Sequence, residues 1–302
     1  MQWPKYVQLK EVGPRDGLQN EKTWVPTADK VAWINKLSDS GVKEIEYSSF
    51  VHPKWIPALS DAREVGRKIK RNPNVFYSAL VPNVKGLQHA LETGIDGASI
   101  FMSASETHNR KNINKSIADT YPVLGEVLHE AKQANKRVTG YVSTVFDCPF
   151  EGKVTPEQVV RVCERLFENG ADEISLGDTI GSAVPSQVEQ LLEAVLSHFP
   201  EDKIIMHFHN TRGMAIANIM TSLQYGVSRF DCSVGGLGGC PYAPGAAGNV
   251  ATNDVLYLLH GLGIDTGIQE NKIQEAALFI QNKLQKELPS KSLAYAVSGK
   301  GS

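Results

Sequence analysis

His207 and His209 stand two apart at the end of the largely apolar run Lys203–Phe208, and alternate residues of an extended strand face the same way. Both imidazoles can therefore address one ion. A lone histidine in such a run is ordinarily a hydrogen-bonded core residue, whereas two at this spacing at the C-terminal end of a strand point to metal ligation. Oxygen donors would complete the shell. An acid beside a base, Arg15-Asp16, closes the segment that begins Glu11-Val12-Gly13-Pro14 and continues to Asn20. By itself such a pair reads as a structural salt bridge; facing two imidazoles, the Asp16 carboxylate becomes a ligand. Nitrogen and oxygen donors without thiolate favour Mg²⁺ or Mn²⁺, with zinc as the alternative, and leave positions open for a chelating substrate. A third segment runs Gly235-Gly236-Leu237-Gly238-Gly239-Cys240-Pro241-Tyr242-Ala243-Pro244-Gly245-Ala246-Ala247-Gly248-Asn249. So many glycines suit a loop that closes over a substrate, or a plain connector. A connector requires neither Cys240 among its glycines nor Asn249 at its end, where the side-chain carbonyl is a further oxygen donor. Glu46, in Glu44-Ile45-Glu46-Tyr47-Ser48, would aim a carboxylate at the same place, or serve as a solvated or salt-bridged acid.

Elements must exist to bring these residues together, and the pattern of the chain supplies them. Apolar, β-branched runs alternate with helical patterns throughout, the signature of parallel βα units. Eight strands are predicted at Val7–Val12, Glu44–Ser48, Val75–Val81, Ala98–Ser103, Arg137–Ser143, Glu173–Leu176, Lys203–Phe208 and Arg229–Val234. Between them lie helices such as the one expected from Thr155-Pro156-Glu157, a hydroxyl cap with proline in the first turn, to Gly170. Another carries Val188, Leu191, Leu192, Val195 and Leu196 on one stripe. A weak repeat sets Gly41, Gly94, Gly170 and Gly226 as helix-ending glycines before strands two, four, six and eight. Eight strands in such pairs predict an α/β fold of the (β/α)8 TIM-barrel type; an open doubly wound sheet is the alternative. One catalytic domain is expected over residues 1–302, with the barrel at about 5–250 and a helical extension at about 251–290 carrying Ile273, Ala277, Ile280 and Leu284 on one face. In such barrels, reactive groups gather at the C-terminal ends of the strands.

Of the 302 residues, 41% are hydrophobic and 21% charged, with formal net charge −2, a globular composition without a basic stripe for nucleic acid. No run of about eighteen apolar residues would span a membrane, and no apolar signal core opens the chain, so a cytoplasmic protein is expected. The cysteines Cys148, Cys163, Cys232 and Cys240 are too few for a disulfide framework and lack zinc-type spacing. Cys163 falls on a helical apolar stripe, Cys232 in a strand and Cys148 in a loop, which leaves Cys240 as the reactive candidate.

Five segments together resemble the 3-hydroxy-3-methylglutaryl-CoA lyase family of metal-dependent barrels: Glu11–Glu21, Ser49–Pro57 (Ser-Phe-Val-His-Pro-Lys-Trp-Ile-Pro), Lys111–Ser116 (Lys-Asn-Ile-Asn-Lys-Ser), Ser175–Gly181 and Gly235–Asn249. The resemblance implies metal ligation by Asp16, His207, His209 and Asn249 and catalytic roles for Arg15, Glu46 and Cys240, with His207 counted in both sets. It implies cleavage of 3-hydroxy-3-methylglutaryl-CoA to acetyl-CoA and acetoacetate, a step of leucine degradation and ketone-body formation. The Arg15 guanidinium would meet the enolate oxygen, and Cys240 would transfer a proton. Lys111 and Asn112 would lie near the CoA portion of the substrate, with no separate organic cofactor, no nucleic-acid or membrane partner, and a homodimer or higher homo-oligomer expected. Two positions depart from the family pattern, which has acids where this chain has Asn210 and Asn253. A condensing synthase on the same scaffold would carry a Glu-Arg-Ala-Gly-Asn-type segment before the metal Asn, and Cys240–Asn249 differs from it. A non-catalytic CoA-binding derivative would have lost ligands, and all four are present.

Overall fold

The computed structural model describes residues 3–239 and 248–299, so Cys240 lies outside the described residues. Among these residues eight strands close into a barrel: β1 (Gln8–Glu11), β2 (Glu44–Ser49), β3 (Phe76–Leu80), β4 (Gly97–Ser103), β5 (Arg137–Ser143), β6 (Glu173–Asp178), β7 (Ile204–Phe208) and β8 (Arg229–Cys232). The order around the barrel is β1-β8-β7-β6-β5-β4-β3-β2, and each neighbouring pair is parallel. The expected closed barrel is found, and each expected strand ends within two residues of its observed bounds.

Helices return the chain between strands: α1 (Thr27–Ser38), α2 (Ala62–Lys68), α3 (Val84–Leu91), α4 (Glu106–Ile113), α5 (Ile117–Gln133), α6 (Pro156–Glu168), α7 (Pro185–Leu196) and α8 (Ala215–Gln224). α6 begins as its sequence requires: Thr155 accepts from the Gln158 backbone while the Gln158 side chain accepts from the Thr155 backbone, with Pro156 in the first turn. Gly41 closes the turn after α1 at φ +95°, where a Cβ would lie 2.1 Å from the Gly267 carbonyl oxygen, so no other residue fits. The chain then adds α9 (Thr252–Gly261), α10 (Glu270–Leu284) and α11 (Lys291–Val297). Ile273, Ala277, Ile280 and Leu284 are buried, and α10 packs on α1 and α9, so the C-terminal helices close the outer layer as well as extending it. Among the described residues no helix is long and apolar enough to cross a membrane.

One element was not foreseen. After β5, Asp147–Cys148 pairs antiparallel with Gly152–Lys153, which places Cys148 in a small hairpin rather than a loop. Two-residue strands carry no periodicity to read. Cys148, Cys163 and Cys232 are buried, as their packing roles require, and burial pushes the Cys163 and Cys232 thiols up.

Strand side chains alternate between hydrocarbon outside the barrel and polar groups inside. Leu9, Ile45, Tyr47, Ala79, Ile100, Val142, Ile174, Met206 and Phe230 are buried and join the core beneath the helices. The lumen instead holds an ion cluster: Lys10 faces Glu44 at 3.3 Å and Glu46 at 3.7 Å, Arg137 reaches Glu44 at 2.5 Å, and Arg229 reaches Glu173 at 2.6 Å. Lys10 is 2% exposed and cannot be replaced by water. Lys10→Met would therefore leave buried carboxylates short of one positive charge and is expected to destabilise the fold by about 3–5 kcal/mol, measured by urea unfolding. A loss under about 1 kcal/mol would show that the neighbouring arginines compensate.

Candidate active site

The segment after β1 is shaped by Glu11. Its buried carboxylate accepts from the Gly13 and Val234 backbones, both at 2.9 Å, and from Thr252 Oγ1 at 2.7 Å, tying the ends of β1 and β8 to the start of α9. Burial pushes its pKa up to about 7 against these bonds. A Cβ on Gly13 would meet Glu11 Oε1 at 2.6 Å, which accounts for the glycine there. The Arg15, Asp16 and Gly17 amides then converge on the Val12 carbonyl in a tight turn. That turn aims Arg15 and Asp16 over the barrel mouth.

Arg15 is 6% exposed. Its Nε donates to Glu46, a second nitrogen lies 2.5 Å from Asp16 Oδ1, and its guanidinium lies 5.2 Å from the Tyr141 ring centroid. Burial disfavours its charge, but Glu46 and Asp16 more than offset that and keep it protonated. Likewise, against burial, Arg15 and the two histidines hold the Asp16 carboxyl far below its usual range. The expected pair is thus a salt bridge and part of the site at once. Glu46 is 0% exposed and pairs with Arg15, the salt-bridged alternative that its sequence left open. Strand alternation turned its carboxylate inward, into the ion cluster.

His207 lies in β7 and His209 just beyond it, in a bridge with Asn249, their ring centroids 5.2 Å apart. Their Nε2 atoms lie 4.0 and 3.7 Å from Asp16 Oδ2, and one ligand atom from each of Asp16, His207 and His209 falls within 4.8 Å of the others. Burial opposes charge on His207, yet its bond to Asp231 and the charge of Asp16 raise its pKa. Asn249 donates to Asp16 Oδ2 at 2.7 Å and to the Leu237 carbonyl at 3.3 Å. Its Oδ1 is buried without a hydrogen-bond partner among the described residues. A buried, unsatisfied carbonyl beside two imidazoles and a carboxylate is the donor set that a hard divalent cation would complete, so the residues present fit the metal.

Arg15, Asp16, Tyr141, His207 and His209 line a cavity of about 650 Å³, within the usual range for a small-molecule site. Trp55, Lys111 and Asn112 line its outer part. Lys111 and Asn112 ride on α4, whose end is secured by Asn109 bonding Ser103, Lys115 and Thr120 and by Asn114 in a left-handed conformation. Lys111 Nζ lies 4.2 Å from the Phe150 ring centroid, on the unforeseen hairpin. His108 also lines the cavity, and burial pushes its pKa down to about 4, leaving a neutral imidazole. Sequence reasoning missed Tyr141, Lys10 and Asp231 at the site. Their only sequence signal was inward alternation along strands otherwise read as core.

A family model described as HMGL-like matches residues 6–280. The chain belongs to the HMGL-like family. It is 56% identical to the hydroxymethylglutaryl-CoA lyase YngG of Bacillus subtilis over 97% of this chain and 98% of that protein. The crystal structure of the Bacillus subtilis HMG-CoA lyase superposes with a TM-score of 0.97 at 55% identity, covering 98% of this chain and 100% of that one. An HMG-CoA lyase from Acinetobacter baumannii, solved with coenzyme A and 3-methylmalate, superposes with a TM-score of 0.93 at 38% identity, covering 99% and 96%.

The two departures from the family pattern have structural accounts. Asn210 Oδ1 accepts from the Ala215 amide at 3.2 Å, at the start of α8, and Asn253 Oδ1 accepts from the Gly235 amide at 2.9 Å. Each amide oxygen makes the bond an acid would make, without the charge. Asn210→Asp would keep the acceptor and put a negative charge at a helix N-terminus, and is expected to gain about 0.3–1 kcal/mol in urea unfolding. No gain would mean that charge elsewhere at the mouth cancels the helix dipole.

Proposed function

We propose that this protein is a lyase that cleaves 3-hydroxy-3-methylglutaryl-CoA to acetyl-CoA and acetoacetate. The observation that carries the reading is the meeting of Arg15 with Asp16, His207 and His209 in one cavity, with Asn249, whose Oδ1 is unsatisfied, bonded to Asp16. Asp16, His207, His209 and Asn249 would hold a divalent cation, Mg²⁺ or Mn²⁺. When bound, that cation supplies Lewis acidity to the tertiary hydroxyl and carboxylate of the substrate, lowering the hydroxyl pKa.

The remaining work falls to the chain. Breaking the carbon–carbon bond leaves one fragment as the enolate of a thioester, whose oxygen gathers negative charge. Arg15 stays protonated and is held in one orientation by Glu46, so its donors are in place before that charge develops. Glu46 is in this reading a positioning residue. His207 faces the cavity beside Arg15 and Tyr141 and serves both as ligand and as a wall against the reacting atoms. Cys240, in the glycine-rich segment, is assigned proton transfer with the enolate carbon, a role that suits the acidity of a thiol. Lys111 and Asn112 at the outer cavity are assigned to the CoA portion, in keeping with the coenzyme A bound by the Acinetobacter relative.

We further read the protein as a homo-oligomer acting in leucine degradation. A cytoplasmic location fits the free Cys148, Cys163 and Cys232, since thiols belong to a reducing compartment. The purified protein with 3-hydroxy-3-methylglutaryl-CoA and Mg²⁺ should form acetoacetate, stop on chelation and restart with added cation. Full activity after thorough chelation would remove the metal, and no acetoacetate would remove the reaction. Arg15→Gln should lower kcat on the order of 100- to 1000-fold with little change in KM, because the charge is needed mainly in the transition state. A change in KM alone would make Arg15 a substrate anchor.

A further inference from the structure

Asp231 is 1% exposed, lies inside the lumen on β8 and does not line the cavity. In the strand register it sits between Lys10 on β1 and His207 on β7. Its Oδ2 meets His207 Nδ1 at 3.2 Å and accepts from Ser175 Oγ at 2.7 Å. Its Oδ1 has no hydrogen-bond partner among the described residues. Ser175 lies on β6, one strand beyond β7, so the carboxylate is bonded to side chains from β7 and β6 and is paired in register with the buried Lys10 on β1.

A neutral imidazole carries one proton, and a carboxylate accepts it on the nitrogen it faces. With Nδ1 committed to Asp231, the lone pair of His207 is left on Nε2, the atom directed toward Asp16 Oδ2. A donor in place of Asp231 would draw the lone pair to Nδ1 and leave an N–H pointing at the cation position. We propose that Asp231 is the positioning residue of the metal centre, selecting the His207 tautomer that leaves Nε2 free for the cation and fixing the ring by its link to Ser175. The inference rests on the reading of Asp16, His207 and His209 as a cation site. Asp231 acts entirely through His207 and touches no reacting atom.

The test combines Mn²⁺ titration, followed by the free-ion EPR signal, with ¹⁵N-histidine NMR of the metal-free protein at alkaline pH. Asp231→Asn should weaken Mn²⁺ binding by about 10- to 100-fold, Asp231→Glu should recover part of it, and saturating Mn²⁺ should restore much of the lost kcat. The wild-type spectrum should show the His207 proton on Nδ1, and the Asn variant should shift it toward Nε2. Equal Mn²⁺ affinity in wild type and Asp231→Asn would overturn the inference, as would a wild-type His207 protonated on Nε2. The wild-type spectrum needs no variant and decides even where Asp231→Asn does not fold. Wild-type protein that binds no Mn²⁺ would overturn the cation reading and this inference together, whereas wild-type binding with an unaffected variant overturns only the role of Asp231.

Discussion

Glu46 lies fully buried against the Arg15 guanidinium, and the mouth of the barrel is assembled outward from that pair. A buried ion pair is a poor source of stability, because desolvation offsets most of its attraction and a hydrophobic replacement is often as stable. Its value here is positional. Arg15 is tethered to β2 through Glu46, while its own segment carries Asp16 into reach of His207 and His209. Losing Glu46 would free Arg15 and, with it, the angle at which Asp16 is presented.

A lone carboxylate at that depth could not stay ionised, and the lumen supplies its counter-charges. Glu44, Glu46, Glu173 and Asp231 are set among Lys10, Arg15, Arg137 and Arg229, acid against base around the inside of the barrel. Lys10 holds the middle of the arrangement, facing Glu44 and Glu46 directly and paired in register with Asp231. The partner of Arg15 and the partner of His207 thus share one buried ammonium. Arg15 and His207 rest on the same floor, and a change beneath one is felt electrostatically by the other.

Much of this was legible in the sequence, for physical reasons that differ by residue. The barrel was readable because parallel strands buried outside against helices leave recurrent apolar runs, and because the glycines at 41, 94, 170 and 226 mark helix ends with left-handed φ. His207 and His209 were readable because period two along a strand puts both on one face. Asp16 and Asn249, more than two hundred residues apart in the chain, were each readable as an oxygen donor beside the histidines, but their 2.7 Å contact depends on barrel closure. Glu46 and Asp231 were harder. An acid in a strand looks the same whether it faces solvent, a cavity or a buried ammonium, so neither the burial of Glu46 nor the place of Asp231 beside His207 is legible from the chain alone. The hairpin carrying Phe150 left no periodicity at all.

The same distinction between shape and charge explains Asn210 and Asn253. What the backbone demands at each position is an acceptor, for the Ala215 amide at one and the Gly235 amide at the other, and an amide oxygen meets that demand as well as a carboxylate does. What an acid would add is a negative charge, in a barrel where the Asp16 carboxyl is already held ionised by Arg15 and the histidines. With amides at both positions, the local geometry is retained, and among the described residues the carboxylates paired with Arg15 are Asp16 and Glu46, the two that orient it.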